Sequence, residues 1–269
     1  MGATDATFAG SIPAVYEQYL GSLLFQPFAE DLAARLRGIA RGRILETAAG
    51  TGIVTRMLAK TLPPEVEIMA TDLNQAMLDL AQTKLQAPNV TWRQADAQTL
   101  PFEDGFCDAV VCQFGVMFFP DKQGAYREAL RVLKPDGVFL FNVWDSLDAN
   151  QMSRVVSDQA IALFPDDPPR FIERTPFGYF HEDAIRGELQ RAGFKTVTIE
   201  RVEKTSQAPS ARHAAMGLVQ GTPLRAELET RAPGGLDEIT DKAAAALVDR
   251  FGNGGFENRM RALVVLARR

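Results

Sequence analysis

Hydrophobic and polar positions change period several times along this chain. Arg43-Ile44-Leu45-Glu46-Thr47 follows a short strand pattern, and Gly50 to Lys60 switches to a helical one. Val66 to Thr71 predicts a second strand, and Asn74 to Gln86 a helix with Met77, Leu78 and Ala81 on one face. Val90 to Gln94 predicts a third strand. Cys107 to Cys112 predicts a fourth, and its near-continuous apolar character suits a strand covered on both faces. Asp121 to Leu133 reads as a helix opened by an Asp N-cap. Pro135-Asp136-Gly137 reads as a turn, and Val138 to Val143 as a fifth strand. Strand and helix alternating at this rhythm predict parallel βαβ units, with helices on both faces of one doubly wound sheet.

The two ends of the chain differ from its middle. Residues 11–40 predict two helices, with Tyr16, Tyr19, Leu20 and Leu23 to Phe25 on or near the first. Residues 146–180 interrupt the alternation with a helical pattern (Met152, Val155, Val156, Ile161) and a Pro-rich loop from Phe164 to Pro176. Glu182 to Ala192 predicts a helix closed by Gly193. Phe194 to Val202 predicts a strand, 206–252 a second helical insert, and Ala262 to Leu266 a last strand. A chain of 269 residues suits one large domain. Its expected parts are an N-terminal helical cap (1–40), a core (41–145), an insert (146–180), more core (181–205), an insert (206–252) and a closing strand (253–269).

Charge and composition narrow the partners. The net charge is -5, and the basic residues are scattered (Arg35, Arg37, Arg41, Arg43) or terminal (Arg268, Arg269). That is not the basic footprint of a nucleic-acid binder. The two cysteines, Cys107 and Cys112, share one apolar run and read as core residues, with neither a disulfide framework nor a zinc site. No metal is expected. No apolar stretch is long enough to span a bilayer. The start, MGATDATFAG, lacks a basic segment followed by an apolar one, and Ala6 stands where a myristoylation signal needs Ser or Thr. A cytoplasmic protein acting on a small molecule, with no membrane partner, is the expectation.

The chemistry begins at Glu46-Thr47-Ala48-Ala49-Gly50-Thr51-Gly52, where a strand ends, a small-residue loop turns and a helix starts. Gly and Ala let a ligand approach the backbone closely. The loop sits at the carboxyl end of a strand near the expected switch point of the sheet, where ligands bind in this architecture. A phosphate-cradling loop would end in Gly-Lys-Ser/Thr, which is absent. A dinucleotide fingerprint would carry a third Gly at position 55, which is Thr. Glu46 precedes the loop, and a carboxylate there repels an anion and attracts an ammonium or sulfonium. Asp72 ends the second strand and can accept hydrogen bonds from two ribose hydroxyls; capping the next helix is the alternative. Asp96 follows the third strand and can accept from an adenine amino group, or serve only as a turn residue. Gln113 and Phe114 follow the fourth strand at the same rim.

These segments resemble the class I S-adenosylmethionine-dependent methyltransferases, and within them the small-molecule group of the ubiquinone/menaquinone-biosynthesis C-methyltransferases. Leu45 to Gly52 is similar to that family's first motif, Ala70 to Met77 to its ribose segment, and Asp96 to Phe102 to its adenine segment. Phe106 to Val111 is similar to its fourth strand, and Val132 to Gly137 to the turn before the fifth. The resemblance implies S-adenosylmethionine as cofactor and a mostly parallel, Rossmann-like sheet of seven strands with an antiparallel last strand. N-terminal helices and helical inserts would form a cap. It places Glu46 near the methionine ammonium, and backbone groups of Thr47, Ala48 and Gly50 on the methionine part. It places Asp72 and Leu73 on ribose and adenine, Met77 against adenine, and Asp96 and Ala97 at the adenine edge. Tyr19 and Gln113 complete the expected cofactor set. Ala48 stands where the family has its first Gly, and an alanine is comfortable there only at negative φ.

Methyl transfer needs donor and acceptor held in line and water excluded. No nucleophile or metal is required, and no catalytic base is assigned. Tyr16, Phe114, Met117, Phe118 and Phe177 are the expected acceptor-binding residues, with Phe25, Phe171 and Tyr179 as further aromatic candidates. Together they point to an apolar or aromatic acceptor. His181 precedes a helix and His213 lies in an insert, and both read as structural. A nicotinamide-dependent oxidoreductase and a non-catalytic binding domain are the competing classes.

Overall fold

The computed structural model describes Asp5, Phe8 and residues 10–269. Their strands are β1 (Gly42–Glu46), β2 (Val66–Asp72), β3 (Val90–Gln94), β4 (Cys107–Gln113), β5 (Leu133–Trp144), β6 (Thr196–Ala208) and β7 (Phe256–Arg268). They form one seven-stranded sheet in the order β3-β2-β1-β4-β5-β7-β6. β1 pairs in parallel with β2 and with β4, β2 with β3, and β4 with β5. β7 runs antiparallel between β5 and β6. The order of strands reverses between β1 and β4, and this switch point opens a crevice at their carboxyl ends. Ala109, Val110, Val111 and Cys112 of the central β4 are wholly buried, as a strand covered on both faces must be.

The helices are α1 (Ile12–Leu20), α2 (Gln26–Arg35), α3 (Ile53–Thr61), α4 (Gln75–Lys84), α5 (Lys122–Val132), α6 (Gln151–Leu163), α7 (Phe171–Arg174), α8 (Glu182–Ala192), α9 (Ala211–Gln220), α10 (Leu224–Arg231) and α11 (Leu236–Phe251). Right-handed crossovers leaving the switch point in opposite directions put α3 and α5 on opposite faces of the sheet. α3 packs with α2, and α5 with α8. The cap is built from distant segments: α1 packs on α9, α9 on α11, α11 on α6, and α7 on α10.

The fold class follows the expectation, and three elements depart from it in detail. A π-helical turn, Gly21–Phe25, joins α1 to α2, so the cap enters the core without a loop. β5 starts at Leu133, ahead of the Pro-Asp-Gly turn. Leu133 already pairs with Cys107, and the turn becomes a bulge with Asp136 at φ 65°. β6 and β7 are much longer than their apolar stretches. They pair from Thr196↔Arg268 to Ala208↔Phe256, whereas β5 accompanies β7 only from Ala262 to Arg268. The outer half of this hairpin lies beyond the sheet, so alternate residues stay polar and hide the strand from a search for apolar runs.

One glycine fixes how the first crossover meets the sheet. Gly52 has φ 77°, and a Cβ there would lie 2.7 Å from the Trp92 ring and 3.1 Å from the Ala81 Cβ. Gly52→Ala combines left-handed strain with overpacking and is expected to cost about 2–4 kcal/mol. A chemical denaturation midpoint equal to that of the wild type would show that Trp92 yields instead.

Candidate functional site

The loop after β1 is stitched to both neighbouring strands. Thr47 donates its backbone N–H to the Val111 carbonyl (2.9 Å), and Ala49 donates to the Thr71 carbonyl (2.9 Å). Gly50 donates to Asp72 Oδ2 (2.8 Å). Ala48 has φ 53°, outside the negative-φ range in which an alanine is comfortable, at a cost of about 1–2 kcal/mol. Its methyl finds room because residue 115 is glycine. A Cβ on Gly115 would lie 2.5 Å from the Ala48 Cβ and 2.7 Å from Cys112 Sγ.

The acidic residues converge around this loop. Asp72 accepts from Gly50 with one oxygen and from the Asn74 backbone N–H (2.8 Å) with the other, so it organises both the loop and the start of α4. Burial pushes its carboxyl upward, and these hydrogen bonds oppose the shift. Glu46 is buried behind the loop and accepts from Thr55 Oγ1 at 2.6 Å. Burial is the main cause that pushes it up to about 8; Asp72 adds to the shift, and the Thr55 hydrogen bond and Arg56 oppose it. Asp96 accepts the Gln98 N–H at 2.8 Å in the turn after β3. The cap is tied to the same loop through Glu17, which accepts from Thr51 Oγ1 (2.5 Å) and Arg56 (2.8 Å).

A cavity opens over the switch point. One end is lined by Ala48, Gly50, Asp72, Leu73, Asn74, Met77, Asp96 and Ala97. Leu73 is 52% exposed, the exception among large hydrophobic side chains of the described residues, and with Met77 it offers a flat apolar platform. The other end is walled by aromatic rings. Phe114 stacks on Trp144 at 3.8 Å and 12°, Tyr16 stacks on Phe25 at 4.7 Å, and Phe177 stacks on Trp144 at 5.8 Å. Among the described lining residues the titratable groups are Tyr16, Asp72 and Asp96, with no Lys, Arg or His. Burial, then Glu17 and Asp72, push the Tyr16 phenol up, so it stays protonated.

The residues named from sequence fall into two groups. Ala48, Gly50, Asp72, Leu73, Met77, Asp96, Ala97 and Gln113 line the cavity, as do Tyr16, Phe25, Phe114, Met117, Phe118, Phe171 and Phe177. Glu46 and Thr47 lie behind the loop. Tyr19 packs its ring on His213 at 4.8 Å, away from the cavity. Tyr179 hydrogen-bonds Tyr126 (3.0 Å) and Glu188 beneath the wall. His181 sits at the start of α8, against the Phe180 ring (4.3 Å). Sequence reasoning missed Phe8, Asn74 and Trp144. Trp144 ends β5, so the rule that ligands meet strand carboxyl ends could have found it. Phe8 carried no such signal; it donates to Asn74 Oδ1 (3.3 Å) and meets Tyr16 and Phe118 edge-on.

Among the described residues, no helix is long and apolar enough to cross a membrane, and no cluster of three His, Cys, Asp or Glu could hold a metal. A family profile described as a methyltransferase domain matches residues 45–141. The ubiquinone/menaquinone biosynthesis C-methyltransferase UbiE of Pseudomonas aeruginosa is 30% identical over 177 residues, which is 61% of this chain and 69% of that protein. The protein of the same name from Caulobacter is 31% identical over 187 residues, 63% of this chain and 74% of that protein. The YcgJ protein of Bacillus subtilis superposes with a TM-score of 0.56 at 18% identity, covering 89% of this chain and 98% of that one. Phosphoethanolamine N-methyltransferase 2 of Haemonchus contortus, in complex with S-adenosyl-L-methionine, superposes with a TM-score of 0.59 at 17% identity, covering 96% and 56%.

Burial of Glu46 has a measurable consequence. Its folded value of about 8 lies above the unfolded value of roughly 4.3. The stability tied to its protonated form is therefore complete below about pH 4 and is lost as pH rises toward 8. Glu46→Gln keeps an acceptor for Thr55 and cannot ionise. It should match wild-type stability near pH 4 and exceed it by roughly 2–4 kcal/mol at pH 8 in urea unfolding. Parallel pH curves for the two proteins would contradict this.

Proposed function

We propose that this chain, which belongs to the class I S-adenosylmethionine-dependent methyltransferase family, methylates a small, apolar, planar acceptor by in-line displacement. It is an enzyme that uses S-adenosylmethionine as cofactor. The carrying observation is the division of the cavity: two carboxylates at one end with no cation among the described residues, and an aromatic box at the other.

The cofactor fits the carboxylate end. Asp72 keeps lone pairs free for ribose hydroxyls after accepting from Gly50 and Asn74. Leu73 and Met77 cover the faces of a flat base, with Asp96 and Ala97 at its edge. Ala48 and Gly50 present bare backbone to the amino-acid part, over the buried charge of Glu46. A cation nearby favours the ionised form of Glu46, so its binding would release the proton that burial keeps on the free protein.

When bound, the cofactor supplies an electrophilic methyl carbon on a sulfonium sulfur. The chain's own part is to orient and to exclude water. Tyr16, Phe25, Phe114, Phe118, Trp144 and Phe177 would wall the acceptor and present electron-rich faces to a cation. These residues would hold the acceptor atom in line with the methyl carbon and keep water out of the transfer. Among the described residues no base lines the aromatic end, since Tyr16 holds its proton and both aspartates belong to the cofactor end. The acceptor would therefore arrive with a free lone pair or an activated ring carbon, and lose its proton to water. The relatives' name, a C-methyltransferase of quinone biosynthesis, agrees with an aromatic acceptor.

Asp72→Ala should weaken S-adenosylmethionine at least about tenfold in calorimetric titration, because charged hydrogen bonds are lost. An unchanged affinity removes the ribose assignment. In a mass-spectrometric screen, wild-type protein should methylate a phenol, aromatic amine or aromatic thiol. Products confined to charged aliphatic acceptors would overturn the proposed acceptor class.

A further inference from the structure

Two backbone features behind the aromatic wall belong together. Phe114 has φ 48°, a left-handed conformation that is unfavourable for a residue other than glycine. Its N–H is held by Asn142 twice, by the side-chain Oδ1 at 2.9 Å and by the backbone carbonyl at 3.2 Å. Asn142 is completely buried in the middle of the apolar stretch that ends β5. Its Nδ2 finds no hydrogen-bond partner. Leaving a buried donor unpaired forfeits its hydration with nothing in return, a cost that an apolar side chain of similar shape would avoid. Two unfavourable features therefore sit in contact, and they share one product. The Phe114 ring lies flat on Trp144 at 3.8 Å, with Phe28 edge-on to both rings at 5.3 and 5.5 Å. At a relaxed negative φ, the Cα–Cβ bond of Phe114 would point elsewhere and the stack would open.

We infer that Asn142 is a positioning residue for the methyl acceptor, holding Phe114 left-handed and flush on Trp144 so that the two rings form one rigid wall for a planar molecule. This rests on the reading of the aromatic end as the acceptor site. Asn142 does not line the cavity; Phe114 and Trp144 do. Its effect passes through the Phe114 N–H, so cofactor binding at the opposite end should not register its loss.

The test uses the full chain with 2-methoxynaphthalene, a planar probe with no ionisable group, titrated by calorimetry at saturating S-adenosylhomocysteine. The chain has two tryptophans, so a Trp92→Phe background leaves Trp144 as the reporter of the stack in near-ultraviolet circular dichroism. Asn142→Leu keeps the branched shape, removes the unpaired donor and removes the side-chain acceptor for Phe114, leaving only the longer bond to the backbone carbonyl. It should melt within a few degrees of wild type, bind S-adenosylhomocysteine within about twofold, lose the Trp144 band and weaken the probe at least about tenfold. Asn142→Asp retains the accepting oxygen and should keep both the band and the probe affinity. Should the leucine variant not fold, Asn142→Ala takes its place with the same expected readouts. An intact band with unchanged probe affinity in Asn142→Leu overturns the inference, as does equal weakening of probe and S-adenosylhomocysteine. Wild type that binds S-adenosylhomocysteine but not the probe also overturns it and leaves the methyltransferase assignment standing. Wild type that fails to bind S-adenosylhomocysteine removes the assignment itself.

Discussion

The carboxylate of Asp72 accepts the Gly50 N–H through one oxygen and the Asn74 N–H through the other. That pair of bonds ties the end of β2 to the loop after β1 and to the first turn of α4. The rest of the site depends on it. The loop holds its shape because the N–H groups of Thr47 and Ala49 bond to neighbouring strands and that of Gly50 to this side chain. The N-terminal segment is anchored within the same cluster, since Asn74 also accepts the Phe8 N–H. Cap, loop and sheet thus meet at one buried acid.

Burying acids has an electrostatic cost that the free protein carries. Glu46 and Asp72 are both shifted upward by desolvation, and among the described residues no cation lines the cavity above them. A ligand with positive charge offsets that cost, whereas a pyrophosphate would add to it. The same arrangement that makes the cofactor welcome makes the free protein less stable as pH rises. On the proposed reading, stability and binding would be coupled through one side chain, Glu46, which does not line the cavity.

Backbone strain collects at the same rim. Ala48 and Phe114 are both left-handed, one after β1 and the other after β4, and Gly115 lets the Ala48 methyl fit between them. Each strained residue is held by hydrogen bonds or packing from an adjacent strand. Unfavourable conformations persist where the surroundings over-determine them. Here both frame the cavity, with the methionine part of the cofactor expected beside Ala48 and the acceptor beside Phe114.

Much of this protein was legible in its sequence because periodicity is a local property. Residues 44–46, 107–112 and 138–143 announce strands through their immediate neighbours, and the Glu46–Gly52 loop and Asp72 announce a ligand through residue type and spacing. The long β6–β7 hairpin was only half visible, since its outer half is polar on alternate residues and gains its strand character by pairing. Whether Tyr19 or Tyr16 reaches the cavity, and that Trp144 rather than Tyr179 completes the aromatic box, depended on contacts between separate elements: Tyr19 meets His213, Trp144 meets Phe114 and Phe177, and Tyr179 meets Tyr126. The left-handed turn at Phe114 and the buried amide that holds it could not be read from either residue alone. Short-range pattern determined the strands, the helices and the rim segments. The register of β4 against β5, and the crossing of the cap over the switch point, decided which side chains meet, because only the assembled sheet brings them within contact distance.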